Sequence, residues 1–399
     1  MNKYLMNKDV EFFKINGIDI IGNFNNGAVV GLEKEALNYL QKGSPYNKDK
    51  SLELEKALLE LGYYDEMAFK VHSAYIHVND RCNLHCIGCY SYIDNRNDRE
   101  ELTFEEICEV LNNLKKSGVD GIVISGGEPF LRDDITEICK YAKEELKIGN
   151  LCTITNGTLS VEKYAPSLKY IDEFNISIDG YSNDTQFIRD KGIMTLVLNN
   201  VKKIKELTPS VNLIVTLHKK NYKEMEKYND LANDLGVRYS YSIFTNDYEN
   251  EVFKEYILED NDLIEIEKLL MQLNVNAKVS DTPIGSYGIN CRKSCEAGKK
   301  FVSVDSKGDV YPCHMLHFDE FKMGNALIKD IKEMVSNTQN RFIDIDVNGI
   351  NTCKDCEYKY LCGGGCRGRS YLKHGNLLEK DTYCTLNYKY YKNLIENII

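Results

Sequence analysis

Between residues 73 and 273 two hydrophobic rhythms alternate along the chain. Continuous apolar runs at 74–78, 121–125, 151–155, 173–178, 212–217 and 238–244 have the length and β-branched content of buried strands. Between them, at 103–116, 134–146, 195–206 and 222–235, apolar residues recur every three to four positions, which lays one stripe along a helix. Such alternation predicts a parallel sheet, because parallel neighbours must be joined by a crossover. Six strands predict a partial, TIM-like (β/α)6 barrel rather than a closed eight-unit one. An active site in such a barrel belongs at the C-terminal ends of the strands.

The two ends follow other patterns. Residues 11–21 and 27–32 read as strands, with Gly22, Asn25, Asn26 and Gly27 as turn signals, and 33–41 and 52–61 as amphipathic helices parted by Gly43, Ser44 and Pro45. From about residue 287 onward cysteine and glycine rise, apolar periodicity fades and turns dominate. A segment of that texture buries little apolar surface by itself and calls for metal sites to hold it. The expected division is 1–70, 71–280 and 281–399.

The formal net charge is −11, with 61 acidic against 50 basic side chains, which disfavours a nucleic-acid partner. No apolar run is long enough to span a bilayer, and the first thirty residues lack the features of a secretory signal. The expectation is a cytoplasmic protein without a membrane partner. Structural disulfides are rare there, so 14 cysteines at tight spacings point to metal ligation or redox chemistry.

Cys82, Cys86 and Cys89 form C-x3-C-x2-C, followed by Tyr90, just after the first barrel strand. Three thiolates on one loop can hold three irons of a [4Fe–4S] cube and leave the fourth open to a small molecule. A structural zinc loop, with His85 as a ligand, is the competing reading. Downstream, Gly126-Gly127-Glu128 ends the second strand, Asn156 follows the third, and Ser177 and Asp179 end the fourth, with Arg189 beyond. The glycines allow close backbone approach to a ligand, Glu128 can accept from an ammonium group, and Arg189 suits a carboxylate.

This set resembles the radical S-adenosylmethionine (SAM) superfamily. The resemblance implies that the three cysteines carry a SAM-binding cluster, and that Tyr90, Gly126, Gly127, Glu128, Asn156, Ser177, Asp179 and Arg189 contact SAM. One departure is Gln186, where the family often has an Asp three residues before the arginine.

The last third holds Cys291, Cys295, Cys313, Cys353, Cys356, Cys362, Cys366 and Cys384. Seven of them resemble the SPASM domain of radical SAM peptide-modifying enzymes, with Cys291 as an eighth. The resemblance implies two auxiliary clusters, on Cys291, Cys295, Cys313 and Cys366 and on Cys353, Cys356, Cys362 and Cys384, making three [4Fe–4S] clusters in all. Some homologous clusters leave one iron open, and two zinc knuckles are the competing reading. Cys108, Cys139 and Cys152 fall within helix and strand patterns and read as small core residues.

The first seventy residues resemble the winged-helix-like domain that recognises leader peptides in ribosomal peptide pathways, which binds by strand addition. A merely structural extension is the alternative. The expected function is a radical SAM maturase that forms a thioether or carbon–carbon crosslink in a precursor peptide, fed by a donor such as flavodoxin or ferredoxin. A sulfatase-maturase-like enzyme is an alternative, but that family has Asp where His314 follows Cys313. A non-catalytic cluster protein is another, but it would not need the Gly-Gly-Glu motif.

Overall fold

The computed structural model describes residues 6–65, 70–185, 187–273, 279–280, 282 and 289–397. Gln186 and the textural change near 287 lie outside them. At the start, β1 (Val10–Ile15), β2 (Ile18–Asn23) and β3 (Val29–Leu32) form an antiparallel sheet in that order. The single strand expected at 11–21 is therefore two. Asn16 and Gly17 both take positive φ, 48° and 79°, the geometry of a two-residue hairpin turn for which Asn-Gly is the favoured pair. Helices α1 (Lys34–Lys42) and α2 (Lys48–Glu60) follow. Ile21, Leu32, Ala36, Leu40, Leu58 and Tyr63 make a small core between sheet and helices.

All six barrel strands are present: β4 (Ser73–His77), β5 (Gly121–Ser125), β6 (Asn150–Thr155), β7 (Glu173–Ile178), β8 (Val211–Leu217) and β9 (Arg238–Ile243), parallel and in chain order. The crossovers carry α3 (Phe104–Ser117), α4 (Ile135–Lys140, continued by a wider turn to Glu145), α5 (Val161–Leu168), α6 (Met194–Leu207) and α7 (Met225–Leu235). Helix α3 can be read from its own residues. Thr103 and Glu106 form a capping box, Ile107, Val110, Leu111 and Leu114 make the buried stripe, and Gly118 ends it in the left-handed region. Helix α5 was not expected, because Pro166 interrupts its pattern. Beyond β9 come α8 (Glu251–Lys254) and α9 (Asp260–Gln272).

The C-terminal region is dominated by turns, as its composition predicts, but it also extends the barrel sheet. Strand β10 (Phe301–Val304) adds parallel to β4, and β11 (Asp309–Tyr311) and β12 (Gly324–Asn325) continue antiparallel, so the sheet has nine strands. Val302, Val304, Val310, Ile331, Met334 and Val335 share the barrel core. The region thus borrows apolar packing from its neighbour. Short helices α10 (Ile331–Val335), α11 (Lys359–Cys362) and α12 (Arg367–His374) precede the longer α13 (Cys384–Glu396), which packs on α9. Tyr358, Leu361 and Tyr391 meet Ile15 and Ile20 of the N-terminal sheet.

Candidate active site

The loop bearing Cys82, Cys86 and Cys89 follows β4 and is held by neighbouring strand ends. Gly127 N–H donates to Asn79 O at 3.0 Å and Glu128 N–H to Arg81 O at 2.7 Å. A Cβ at 126 or 127 would collide with Asn79 O or Arg81 O. The close approach that requires these glycines is therefore to the cysteine loop's own backbone. After β7, Ile87 N–H donates to Ile188 O at 2.7 Å and His85 N–H to Asp190 at 2.9 Å. After β9, Asn246 Nδ2 donates to Gly88 O at 2.9 Å, and the Phe244 ring occupies the space where Gly88 lacks a Cβ. The exposed His85 ring lies 3.7 Å from Asp190, so it does not serve the zinc reading.

Asp179 anchors the arm after β7. Its Oδ2 accepts from Phe187 N–H at 2.9 Å and Ile188 N–H at 2.7 Å. Arg189 lies 3.7 Å from the other oxygen and reaches to 3.8 Å from Cys86 Sγ. Asn156 Nδ2 donates to Asn83 Oδ1 at 2.9 Å. Glu128 is fully buried, and its carboxylate accepts from Thr155 Oγ1 at 2.8 Å, Asn156 N–H at 2.8 Å and Phe130 N–H at 3.2 Å. Burial outweighs these donors and pushes its pKa up to about 7. Burial also pushes the Cys86 thiol up to about 11, against the pull of Arg189, and raises Cys82. Such thiols keep their protons until a metal displaces them.

A cavity of about 200 Å³ opens at the C-terminal ends of the strands. Cys86, Cys89, Tyr90, Ser177 and Arg189 line it. Gly126, Gly127, Glu128, Asn156 and Asp179 are not on its wall; they brace the cysteine loop and its clamp from behind. Sequence reasoning did not single out the inward-facing strand residues Tyr75, Ile154, Ile214, Thr216 and Ser242. Period-two counting along each strand would have found them. The far wall comes from the C-terminal region, through His314 and Met315, with the His314 ring stacked on Tyr75 at 4.5 Å.

Cys353, Cys356, Cys362 and Cys384 line one small cavity with Asp381 and Tyr388. Burial, then Asp381 and the companion thiols, push Cys362 up to about 12. A second group gathers at Met315: Cys366 Sγ lies 4.0 Å from its Sδ, and its N–H points at Cys313 Sγ from 3.5 Å. Cys295 and Cys313 pack on the same apolar cluster, and Cys295 is among the groups that raise Cys366. Cys291 is expected as the fourth ligand here, and the contacts of its thiol are with the N-terminal unit. Its Sγ is 3.3 Å from Ala28 O, against Gly22 and close to Tyr63 of the N-terminal unit. Cys139 is buried in the barrel core, while Cys108 and Cys152 are partly exposed.

Among the described residues, no three His, Cys, Asp or Glu side chains converge as a single-ion site. Thiols line both cavities, Cys86 and Cys89 the first and Cys353, Cys356, Cys362 and Cys384 the second, a donor set that fits iron–sulfur clusters. No helix is long and apolar enough to cross a membrane among those residues.

A parallel α/β partial barrel with thiols at the mouth of its strands, extended by a second cysteine-bearing region, defines a radical SAM enzyme with an auxiliary iron–sulfur domain. The chain carries both domains: the radical SAM superfamily profile matches residues 76–232, and the SPASM iron–sulfur cluster-binding domain matches 295–357. It is 26% identical to the AdoMet-dependent heme synthase of Methanosarcina barkeri, over 76% of this chain and 93% of that one. It is also 26% identical to a cysteine-type anaerobic sulfatase-maturating enzyme of Clostridium novyi, over 77% and 90%. Among solved structures, anSMEcpe with bound AdoMet and the Cp18Cys peptide superposes with a TM-score of 0.67 at 21% identity, over 82% of this chain and 98% of that one. Streptococcus suis SuiB bound to its precursor peptide SuiA superposes at 0.61 and 20%, over 95% and 98%.

Proposed function

We propose that this chain cleaves SAM reductively and uses the radical to modify a ribosomally made precursor peptide, by forming a thioether or a carbon–carbon crosslink. A [4Fe–4S] cluster on Cys82, Cys86 and Cys89, with SAM at its open iron, would supply a 5′-deoxyadenosyl radical. Arg189, at the cavity wall beside Cys86, would take the SAM carboxylate through its planar fork. Tyr90 and Ser177 would flank the cofactor, and Gly126, Gly127, Glu128, Asn156 and Asp179 would hold the loops that shape its seat. Auxiliary clusters on Cys295, Cys313 and Cys366 and on Cys353, Cys356, Cys362 and Cys384 would accept the electron released on crosslinking, and a flavodoxin- or ferredoxin-like donor would supply the first one.

The observation that carries the peptide reading is the N-terminal unit. Its β1 side is committed: Phe13 packs on Tyr360, at 4.9 Å between ring centroids, and Lys293 pairs with Glu11. Among the described residues no strand pairs with the outer edge of β3. An extended leader segment could add there by backbone hydrogen bonds.

The test is anaerobic turnover with SAM, a reductant and a precursor peptide encoded beside this chain, deuterated at its β-carbons. Deuterium should appear in 5′-deoxyadenosine, and the peptide should lose two hydrogens per crosslink. Cys86→Ala should abolish both. If SAM is cleaved but no such peptide is altered, while a cysteine-containing sulfatase peptide is oxidised, the sulfatase-maturase reading takes its place.

A further inference from the structure

The region between the two auxiliary cysteine groups contains a charged pair from which water is excluded. Arg369 donates through Nε and Nη2 to the two oxygens of Asp381, both at 2.8 Å, with both side chains buried. A buried ion pair is weak evidence of stabilisation, because desolvation cancels much of the attraction. Its geometry has to be explained by what else it holds.

Asp381 holds both cysteine groups at once. Its Oδ2 accepts the backbone N–H of Cys366 at 2.8 Å, and its backbone oxygen accepts the N–H of Cys384 at 3.0 Å. Its Oδ1 also accepts the N–H of Tyr383 at 3.1 Å. Gly365, at φ +73°, lies against this carboxylate, and any Cβ there would collide with it. The Arg369 guanidinium lies 4.2 Å over the Tyr383 ring.

Tyr383 then reaches out of the C-terminal region. Its hydroxyl donates to Phe244 O at 2.8 Å and lies 2.8 Å from Thr245 Oγ1. These residues follow β9, where Phe244 packs against Gly88 and Asn246 holds its carbonyl. Gly88 stands between Cys86 and Cys89. A continuous path of contacts therefore runs from the SAM-type cysteine loop, through the β9 end and the buried Tyr383, to the buried Asp381 and to one cysteine of each auxiliary group.

We infer that Asp381, Arg369 and Tyr383 are positioning residues that fix both auxiliary clusters relative to each other and to the SAM-binding loop. The inference rests on the reading that Cys366 and Cys384 carry clusters. None of the three lines the reaction cavity, so they act through the groups they hold.

The test compares Tyr383→Phe and Asp381→Asn with the wild-type protein, all reconstituted anaerobically with iron and sulfide. Tyr383→Phe removes only the hydroxyl. It should keep the wild-type iron and sulfide content and SAM cleavage, while the ratio of modified peptide to 5′-deoxyadenosine falls by about fivefold, the scale of one ordinary buried hydrogen bond. Asp381→Asn should alter the electron paramagnetic resonance signals of both auxiliary clusters together and leave the SAM-cluster signal unchanged. A Tyr383→Phe protein with an unchanged product ratio, or an Asp381→Asn protein in which one auxiliary signal alone changes, would overturn the inference. If the wild-type protein carries iron and sulfide for a single cluster only, the underlying reading fails instead. Should Asp381→Asn not fold, Tyr383→Phe alone decides.

Discussion

The barrel and the C-terminal region present cysteines in opposite ways. In the barrel the thiols sit on a loop already held by four strand ends, through Glu128 and Gly127 after β5, Asn156 after β6, Ile188 and Asp190 after β7, and Asn246 after β9. The core beneath them is formed by strands and helices that need no metal. In the C-terminal region most of the cysteines sit on turns and four- or eight-residue helices, among Gly363, Gly364 and Gly365, all at positive φ, and Cys384 opens α13. Their backbone hydrogen bonds are mostly to nearby turn residues, as from Cys353 to Ile350 and from Cys362 to Tyr358, with Asp381 holding Cys366 and Cys384. The protein orders the first site before metal arrives, whereas metal must supply much of the order of the others.

Iron removal exposes that difference most strongly. Structural metal sites contribute on the order of 10 kcal/mol in small domains. Chelation under reducing conditions should leave the barrel's cooperative unfolding transition in place while residues 350–385 become cleavable by protease. Hydrogen exchange should likewise rise there and stay low in β4 to β8. Equal loss of protection in both regions would remove the distinction.

The barrel side can be broken by geometry alone. Gly127→Ala would put a methyl group into Asp80 O and Arg81 O, neither of which is at the end of a flexible side chain. A cost of about 3 kcal/mol is expected, in the range for overpacking a close contact. The cysteine loop should shift with it, so cluster content at that site should fall while the auxiliary signals persist. Denaturant midpoints and iron analysis check both parts.

What could be read in advance follows the same division. The barrel strands declared themselves because each is a short apolar run bounded by turn residues, and Gly121 to Ser125 and Glu173 to Ile178 begin and end where the pattern does. The cysteine groups were legible because thiols at fixed spacings have few other uses. Three features were not. The Asn16-Gly17 turn was hidden inside an apolar stretch. The pairing of β10 with β4 joins residues more than two hundred positions apart, and no local pattern carries that information. The hydrogen bonds of Glu128 to Asn156 N–H and of Asp179 to Phe187 and Ile188 N–H depend on which way a side chain turns at a strand end, which spacing does not encode.

Glu128 gives a pH test of the brace. Its pKa in the fold is raised from 4.5 to about 7, chiefly by burial. The folded state therefore holds a proton that the unfolded state releases. Its contribution to stability is complete below about 4.5 and is lost as pH rises through about 7. Glu128→Gln lacks this proton, so the variant should gain on the wild type by up to about 3 kcal/mol between pH 5 and pH 8 in the absence of SAM. Urea midpoints at the two pH values measure the gap, and parallel profiles would mean that the carboxylate is solvated or already ionised in the fold.

The smallest effect concerns the boundary of the cysteine set. Cys291 lies in sequence beside Cys295, yet its thiol is against Ala28 O and Gly22, and its N–H donates to Gly27 O at 2.9 Å. Burial pushes it up to about 12, and the charged groups around it are Arg292, Lys293 and Lys300 rather than other thiols. Its surroundings are those of a small apolar residue that seats the N-terminal sheet on the rest of the chain. Cys291→Ala should therefore cost about 1 kcal/mol, as a small buried truncation does, and leave iron and sulfide per chain unchanged. Cys366→Ala should lower both. If Cys291→Ala loses as much iron as Cys366→Ala, the thiol swings across to a cluster when metal binds, and the line between the apolar seat and the metal-held region must be redrawn to include it.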